Sequence, residues 1–436
     1  MMGRKLFGTD GVRGEAGTFL TAELATSLGR AATASLEAER PQVLIVRDTR
    51  ESGPMLESAL AAGIAAAGGD ALLGGVLPTP AAAILVKRLG LDLAAVVSAS
   101  HNPYRDNGIK FFSAEGTKLD DEAEARIEAL IDAEPKAGEP GNVRELNGGL
   151  EDYLRALESA FRLDLSDRRV MLDCANGATF RAAPMIFERL GATVEALAAE
   201  PDGRNINDGC GSTHLDRLAE AVAASEATIG FAFDGDGDRV LAVDGSGRSH
   251  DGDELIALAA RGMAARGELG GGVAVTVMSN YGFHQAMEEA GIEVAVAKVG
   301  DRYVLDELRE RRWALGGEQS GHIIDTRFVA TGDGIAAALT TMRELGDRDL
   351  ATVTPMEKLP QTLVNVEVAD RGAIAGAEAV WEAVEREGQT LEGRGRVLLR
   401  ASGTEPLVRV MVEAPSAAEA DSVCGRLVTL VRQELA

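Results

Sequence analysis

Three times along the chain, a short aliphatic run gives way to a polar or glycine-containing turn. An amphipathic segment ended by glycine follows, and then a second aliphatic run. The first copy begins at VLIVRD (43–48), with Ser52 placed to cap the next helix and Pro54 in its first turn. The second is RRVMLDCANGATFRAAPMIFERLGATVEAL (168–197), and the third is GGVAVTVMSNYGFHQAMEEAGIEVAVAKVG (271–300). Strand–helix–strand units of this kind build sheets whose crossovers favour parallel neighbours. The remainder reads differently. TLVNVEV (362–368) is strand-like, 373–387 is helical, RVLLRASGTEPLVRVMVEA forms two strands around a loop, and a last helix covers about 416–435. The predicted fold class is therefore α/β: three related α/β domains with mixed, mostly parallel sheets, plus a C-terminal α+β domain. Turn-rich stretches at 134–149, 245–252 and 346–355 place the boundaries. The domains expected are 1–150, 151–251, 252–358 and 359–436.

Composition limits the function classes. No run of about 18 apolar residues exists, so no membrane span is expected. The opening MMGRKLFGTDGVRG lacks an apolar h-region and reads as mature protein. Cys174, Cys210 and Cys424 are too few and too scattered for a disulfide framework or a zinc site, which points to the cytoplasm. A formal net charge of −25 repels nucleic acid and anionic lipid. An anionic small molecule remains a candidate ligand where the few basic residues gather.

Four stretches carry chemistry. In AVVSASHNPYRDNGIKFF (95–112), Ser100 lies where a strand ends, the usual place for reactive groups in α/β proteins. Ser100 is either a nucleophile or part of a cap and turn. The glycines of a nucleophile elbow are absent, with Ser98 and Asn102 in their places. In FAFDGDGDRV (231–240), Asp234, Asp236 and Asp238 alternate with glycines, so three carboxylates can converge on one hard cation. An EF-hand loop is excluded, because Arg239 and Gly245 stand where it needs Gly and Glu. The other reading is an acidic turn. With metal, Arg239 suits a phosphate oxygen on the same ion. LGGEQSGHI (315–323) offers Glu318, Gln319, Ser320 and His322 to sugar hydroxyls, or is a structural turn. In LLRASGTEPLVRV (398–410), Arg400, Ser402, the Gly403 amide, Thr404 and Arg409 can surround a phosphate dianion.

These stretches occur in fixed order, one per expected domain. Together with FGTDGVRG (7–14), they resemble the α-D-phosphohexomutase superfamily across essentially the whole chain. Within it, FGTDGVRG, SASHNP, VMSN, KVGDRYV (298–304) and the Gln of GGEQSGH are most similar to the branch acting on glucosamine phosphates. Relatives acting on mannose or glucose phosphates more often carry Met at the Gln319 position. The resemblance implies four domains around a central cleft, often in a homodimer. It implies that Ser100 is phosphorylated and completes the shell of one Mg2+ held by Asp234, Asp236 and Asp238. Glu318, Gln319 and Ser320 would read the sugar, and Arg400, Ser402, Gly403, Thr404 and Arg409 would hold the phosphate. Arg13, Lys110 and Arg239 would stabilise the transferring group. Lys110 and His322 are the candidates for moving protons, and His101 supports the phosphoserine loop. The implied reaction interconverts glucosamine 6-phosphate and glucosamine 1-phosphate through a 1,6-bisphosphate, feeding UDP-N-acetylglucosamine and cell-wall synthesis. A hexose 1,6-bisphosphate or a kinase would prime Ser100.

Overall fold

A computed structural model describes residues 6–8, 10–133, 138–401 and 406–435. By internal packing the chain divides into two compact units. One combines Met1–Met278 with Ile292–Thr354, and the other combines Ser279–Gly291 with Pro355–Ala436.

The first unit contains three sheets in chain order. A six-stranded sheet draws on Val12–Glu15 through Val143–Glu145, a five-stranded sheet on Arg169–Asp173 through Ser249–His250, and a four-stranded sheet on Gly272–Thr276 through Ile323–Asp325. Among the described residues, seven of their pairings are parallel and five antiparallel, which is the mixed, mostly parallel arrangement expected. The central strands are aliphatic and buried along their length, as at Leu93–Val97 and Gly272–Thr276, because such sheets are covered on both faces. Each of the three recurring helices ends at a glycine of positive φ (Gly68, Gly191 and Gly291) whose amide bonds back to the last turn. A left-handed residue there stops the helix and turns the chain into the next strand.

Ser52 departs from expectation. It occupies the N-cap position of helix Gly53–Ala66, but its side chain does not cap it. Its Oγ instead accepts a hydrogen bond of 2.8 Å from Asn107 Nδ2, tying the turn to the strand that follows the serine loop.

The second unit is built on a three-stranded antiparallel sheet in the order Gln361–Glu367, Leu407–Glu413, Arg396–Ala401, with helices Glu378–Thr390 and Ala417–Leu435. The periodicity at 271–300 places helix Tyr281–Glu289 with its flanking strands, yet by packing it groups with the C-terminal sheet. The cause is polar. Tyr281 N donates to Glu413 Oε2 (2.7 Å), Asn280 exchanges hydrogen bonds with the Leu359 backbone, and Gln285 Nε2 donates to Gly393 O (3.2 Å).

Among the described residues no helix is long and apolar enough to cross a membrane.

Candidate active site

Ser100 follows strand Leu93–Val97 in a left-handed conformation, with φ of 52°, and is buried. That conformation costs a non-glycine residue roughly 1 kcal/mol or more, so the surroundings must hold it. Its amide donates to Ser98 Oγ (2.9 Å), which donates to Asp48 Oδ2 (2.6 Å). Its carbonyl accepts from Arg50 Nη2 and from Asn207 Nδ2, each at 2.9 Å. Arg50 is fully buried and ion-paired to Asp48 at 2.8 Å. Its remaining donors reach the carbonyls of Asn102 (2.8 Å), Asp106 (3.0 Å) and Pro103. A buried charge is tolerated when it is paired and its donors are filled. Here that requirement shapes the whole loop from 100 to 106.

The Ser100 Oγ donates to Asp234 Oδ2 at 2.6 Å and lies 3.3 Å from His101 Nδ1. Asp234 begins the loop joining antiparallel strands Ile229–Phe233 and Val240–Asp244. Glycine at 235 is required by this approach, since a Cβ there would stand 2.4 Å from the Ser100 carbonyl oxygen. Asp234, Asp236 and Asp238 are all buried, and each brings a carboxylate oxygen within 4.8 Å of the others. Asp236 Oδ2 accepts from Lys110 Nζ (2.7 Å) and Thr79 Oγ1 (2.6 Å). Asp236 Oδ1 and Asp238 Oδ1 are buried without a hydrogen-bond partner among the described residues. Orphaned buried carboxylate oxygens are rare because they are costly. Three hard oxygen donors, two with an oxygen to spare, fit a divalent cation.

Burial raises the Asp234 carboxyl well above its ordinary value, and the charges of Asp238 and Asp236 add to the effect. Burial acts the same way on Asp236, but Lys110 overrides it and holds that carboxyl low. Lys110 is itself kept charged against burial by Asp10, Asp236 and Asp238. Lys118 bridges Asp10 and Asp301, each at 2.6 Å, and Asp10 also pairs with Arg13. His322 is buried, with Nε2 3.6 Å from Asp301 and 3.8 Å from Asp238. That nitrogen accepts from Gly332 N at 3.3 Å. Arg239 Nε lies 3.8 Å from Asp238 Oδ1. Burial lowers the His101 pKa, and Arg239 and Arg13 lower it further.

The polar loop at 318–320 is more open. Glu318 Oε1 accepts from Gly300 N (3.0 Å), Ser320 Oγ lies 3.4 Å from Glu318 Oε2, and Gln319 is half-buried. In the second unit, Arg400 and Arg409 are directly opposed across the antiparallel strand pair. Burial lowers the Arg400 pKa, and the Arg409 charge lowers it further. Ser402, Gly403 and Thr404 lie outside the described residues.

Models of the phosphoglucomutase/phosphomannomutase family match the chain in four consecutive pieces. These are alpha/beta/alpha domain I over residues 4–138, domain II over 151–247, domain III over 251–362, and the C-terminal domain over 363–430. The chain belongs to the phosphoglucomutase/phosphomannomutase family. A phosphoglucosamine mutase of Pelotomaculum thermopropionicum is 49% identical to it, covering 98% of this chain and 99% of its own. One from Desulforudis audaxviator is 50% identical, covering 98% of each. Among solved structures, a phosphoglucomutase/phosphomannomutase family protein of Burkholderia thailandensis superposes with a TM-score of 0.84 at 25% identity, covering 98% of this chain and 97% of its own. The N-acetylphosphoglucosamine mutase of Aspergillus fumigatus, solved with GlcNAc-6P and magnesium, shares the fold with a TM-score of 0.71 at 20% identity, covering 99% of this chain and 96% of its own.

In this phosphohexomutase, Ser100, His101, Lys110 and the three aspartates meet as the sequence suggests, with Arg239 and His322 beside the aspartate loop. Sequence reasoning passed over Asp10, Asp48, Arg50, Thr79, Lys118, Asn207 and Asp301. Three had a usable signal: Asp10, Asp48 and Asp301 stand inside FGTDGVRG, VLIVRD and KVGDRYV. Thr79 and Asn207 had none, since their partners lie 157 and 107 residues away.

Proposed function

We propose that this chain interconverts glucosamine 6-phosphate and glucosamine 1-phosphate, with Ser100 carrying the phosphoryl group between the two half-reactions. The observation that carries the reading is Ser100 Oγ, held in a left-handed turn 2.6 Å from a buried carboxylate triad. Identity near 50% to curated phosphoglucosamine mutases over almost the entire chain supports the choice of sugar.

In the first half-reaction, the phosphoryl on Ser100 passes to O1 of glucosamine 6-phosphate, and Ser100 regains its hydroxyl. The bisphosphate turns over, and its O6 phosphoryl passes back to Ser100, leaving glucosamine 1-phosphate. Asp234, Asp236, Asp238 and Ser100 would hold one divalent cation, expected to be Mg2+. When bound, it supplies positive charge to the phosphoryl oxygens. Lys110, kept cationic by its acidic neighbours, adds charge at the transferring group, as do Arg13 and Arg239. Lys110 and His322 are the candidates for moving the proton of the attacking hydroxyl. His101 steadies the serine loop. Glu318, Gln319 and Ser320 would read the sugar, and Arg400 and Arg409, with Ser402, Gly403 and Thr404, the phosphate not being transferred. We assign these duties to modules at 1–150, 151–251, 252–358 and 359–436. A cytoplasmic enzyme, homodimeric as its superfamily often is and primed by a hexose 1,6-bisphosphate or a kinase, fits this reading.

The test is intact-mass analysis after incubation with glucose 1,6-bisphosphate, alongside turnover of glucosamine, glucose and mannose 6-phosphates. One added phosphoryl group on Ser100 and a preference for the glucosamine substrate are expected. An unlabelled Ser100, or faster turnover of mannose 6-phosphate, overturns it.

A further inference from the structure

His250 is buried, and both of its ring nitrogens face carboxylates. Nε2 lies 2.9 Å from Asp244 Oδ2, at the end of strand Val240–Asp244, and Nδ1 lies 3.0 Å from Glu254 Oε1, in the first turn of helix Gly252–Ala265. Both acids are committed as acceptors elsewhere. Asp244 Oδ1 takes the amides of Ser246 (2.9 Å) and Arg248 (3.2 Å) and the Ser246 hydroxyl (2.6 Å). Glu254 takes Arg248 Nη2 (2.8 Å) and the Asp251 amide (3.2 Å). Two ionised acceptors, one at each nitrogen, require a donor at each nitrogen, and only the imidazolium has two. The charged groups acting most strongly on His250 are Glu254 from the helix, Asp244 from the strand and Arg248 from the turn, with Asp251 and Asp253 at the start of the same helix as Glu254.

The two elements joined by His250 both bond the loop at 318–321. From the strand, Val240 N donates to Gly321 O at 3.1 Å. From the helix, Gly252 N donates to Gln319 O at 3.0 Å, and a Cβ on residue 252 would stand 2.1 Å from Glu318 O. A shift of the helix start against the strand therefore bears directly on the backbone of Glu318 and Gln319.

We propose that His250, as an imidazolium bridging Asp244 and Glu254, is a positioning residue for the hexose-reading loop. The proposal rests on the reading of Glu318, Gln319 and Ser320 as sugar contacts. It gives the loop a pH dependence of known sign. Burial opposes the charged ring, but the hydrogen bonds to Glu254 and Asp244 override it and raise the pKa above the ordinary histidine value. The bridge is then complete below that ordinary value and is lost as pH rises through the raised one.

His250→Gln keeps one donor and loses the second. KM for glucosamine 6-phosphate should rise about threefold to tenfold while kcat changes less than about twofold, as expected when binding rather than transition-state contact is lost. The wild-type KM–pH profile, divided by that of His250→Gln to cancel titration of the substrate, should step upward where 15N NMR shows the His250 ring losing its second proton. An unchanged KM in a folded variant overturns the proposal. So does a His250 ring that is neutral at pH 6.5. If His250→Gln does not fold, the raw wild-type KM profile decides against the same NMR titration, and a step that does not coincide with it overturns the proposal. Glu318→Gln separates the two layers. If it leaves KM unchanged, the sugar-loop reading falls and this inference falls with it. If it raises KM where His250→Gln does not, only the positioning role of His250 falls.

Discussion

Two regions of this chain place like charges side by side, and they differ in what they supply as counter-charge. Asp234, Asp236 and Asp238 are buried together, with Lys110 bonded to Asp236 and Arg239 near Asp238. Arg400 and Arg409 are opposed across two strands and half-exposed, in the second unit. Like charges directly opposed on a strand pair are destabilising, and buried like charges more so. A chain tolerates either only where an opposite charge arrives. The buried acids need internal cations even before a ligand binds, because water cannot screen them. The arginines are only half-buried, so solvent screens part of their repulsion. The difference teaches that the aspartate centre is part of the folded structure, whereas the arginine pair stands closer to solvent, as the proposed phosphate-holding role requires.

Four substitutions would break or sharpen that comparison. Ser100→Ala should lower mutase turnover by at least about a thousandfold, ~4 kcal/mol in barrier, because no other group carries the phosphoryl between half-reactions. The fold should be retained, as judged by circular dichroism. More than about a tenth of the activity remaining would exclude the covalent route. Asp236→Asn should cost roughly a hundredfold in turnover at low magnesium, with partial recovery as magnesium is raised, since a charged oxygen ligand becomes neutral. It should also lower Tm, because buried Lys110 loses the carboxylate charge 2.7 Å away and keeps only a neutral acceptor. Activity indifferent to magnesium would make the loop structural.

Arg400→Ala is the counterpart in the other region. Losing a hydrogen bond to a charged group, about 1.5–3 kcal/mol, should raise both KM values by roughly tenfold to a hundredfold. More free bisphosphate should be released, while Tm and magnesium affinity stay nearly unchanged. A weakened metal site would end the contrast drawn here, and an effect on one substrate alone would mean that the two phosphates are held differently. The smallest effect belongs to Gln319→Met. Exchange of one neutral hydrogen-bonding side chain, about 0.5–1.5 kcal/mol, should shift the ratio of kcat/KM from glucosamine towards glucose or mannose phosphate by roughly threefold to tenfold. An unchanged ratio would leave the choice of sugar to Glu318 and Ser320.

The sequence by itself determined what local chemistry can determine. Aliphatic runs, turns and stop glycines determined the sheets and their order, since strand burial and left-handed helix ends are local properties. The aspartates were legible because they alternate within five residues, and Ser100 because it closes an apolar strand. Only the tertiary structure decided which distant groups complete these motifs. Arg50 holds Ser100 from 50 residues away, Lys110 reaches Asp236 across 126, and Asp234 meets Ser100 across 134. Helix Tyr281–Glu289 joined the C-terminal unit for a similar reason. Its apolar periodicity says that one face is buried, whereas the hydrogen bonds from Asn280, Tyr281 and Gln285 choose the partner. A periodic pattern reports that a surface must be covered, and a charge reports that it must be answered. Which residue does either depends on where the folded chain brings it.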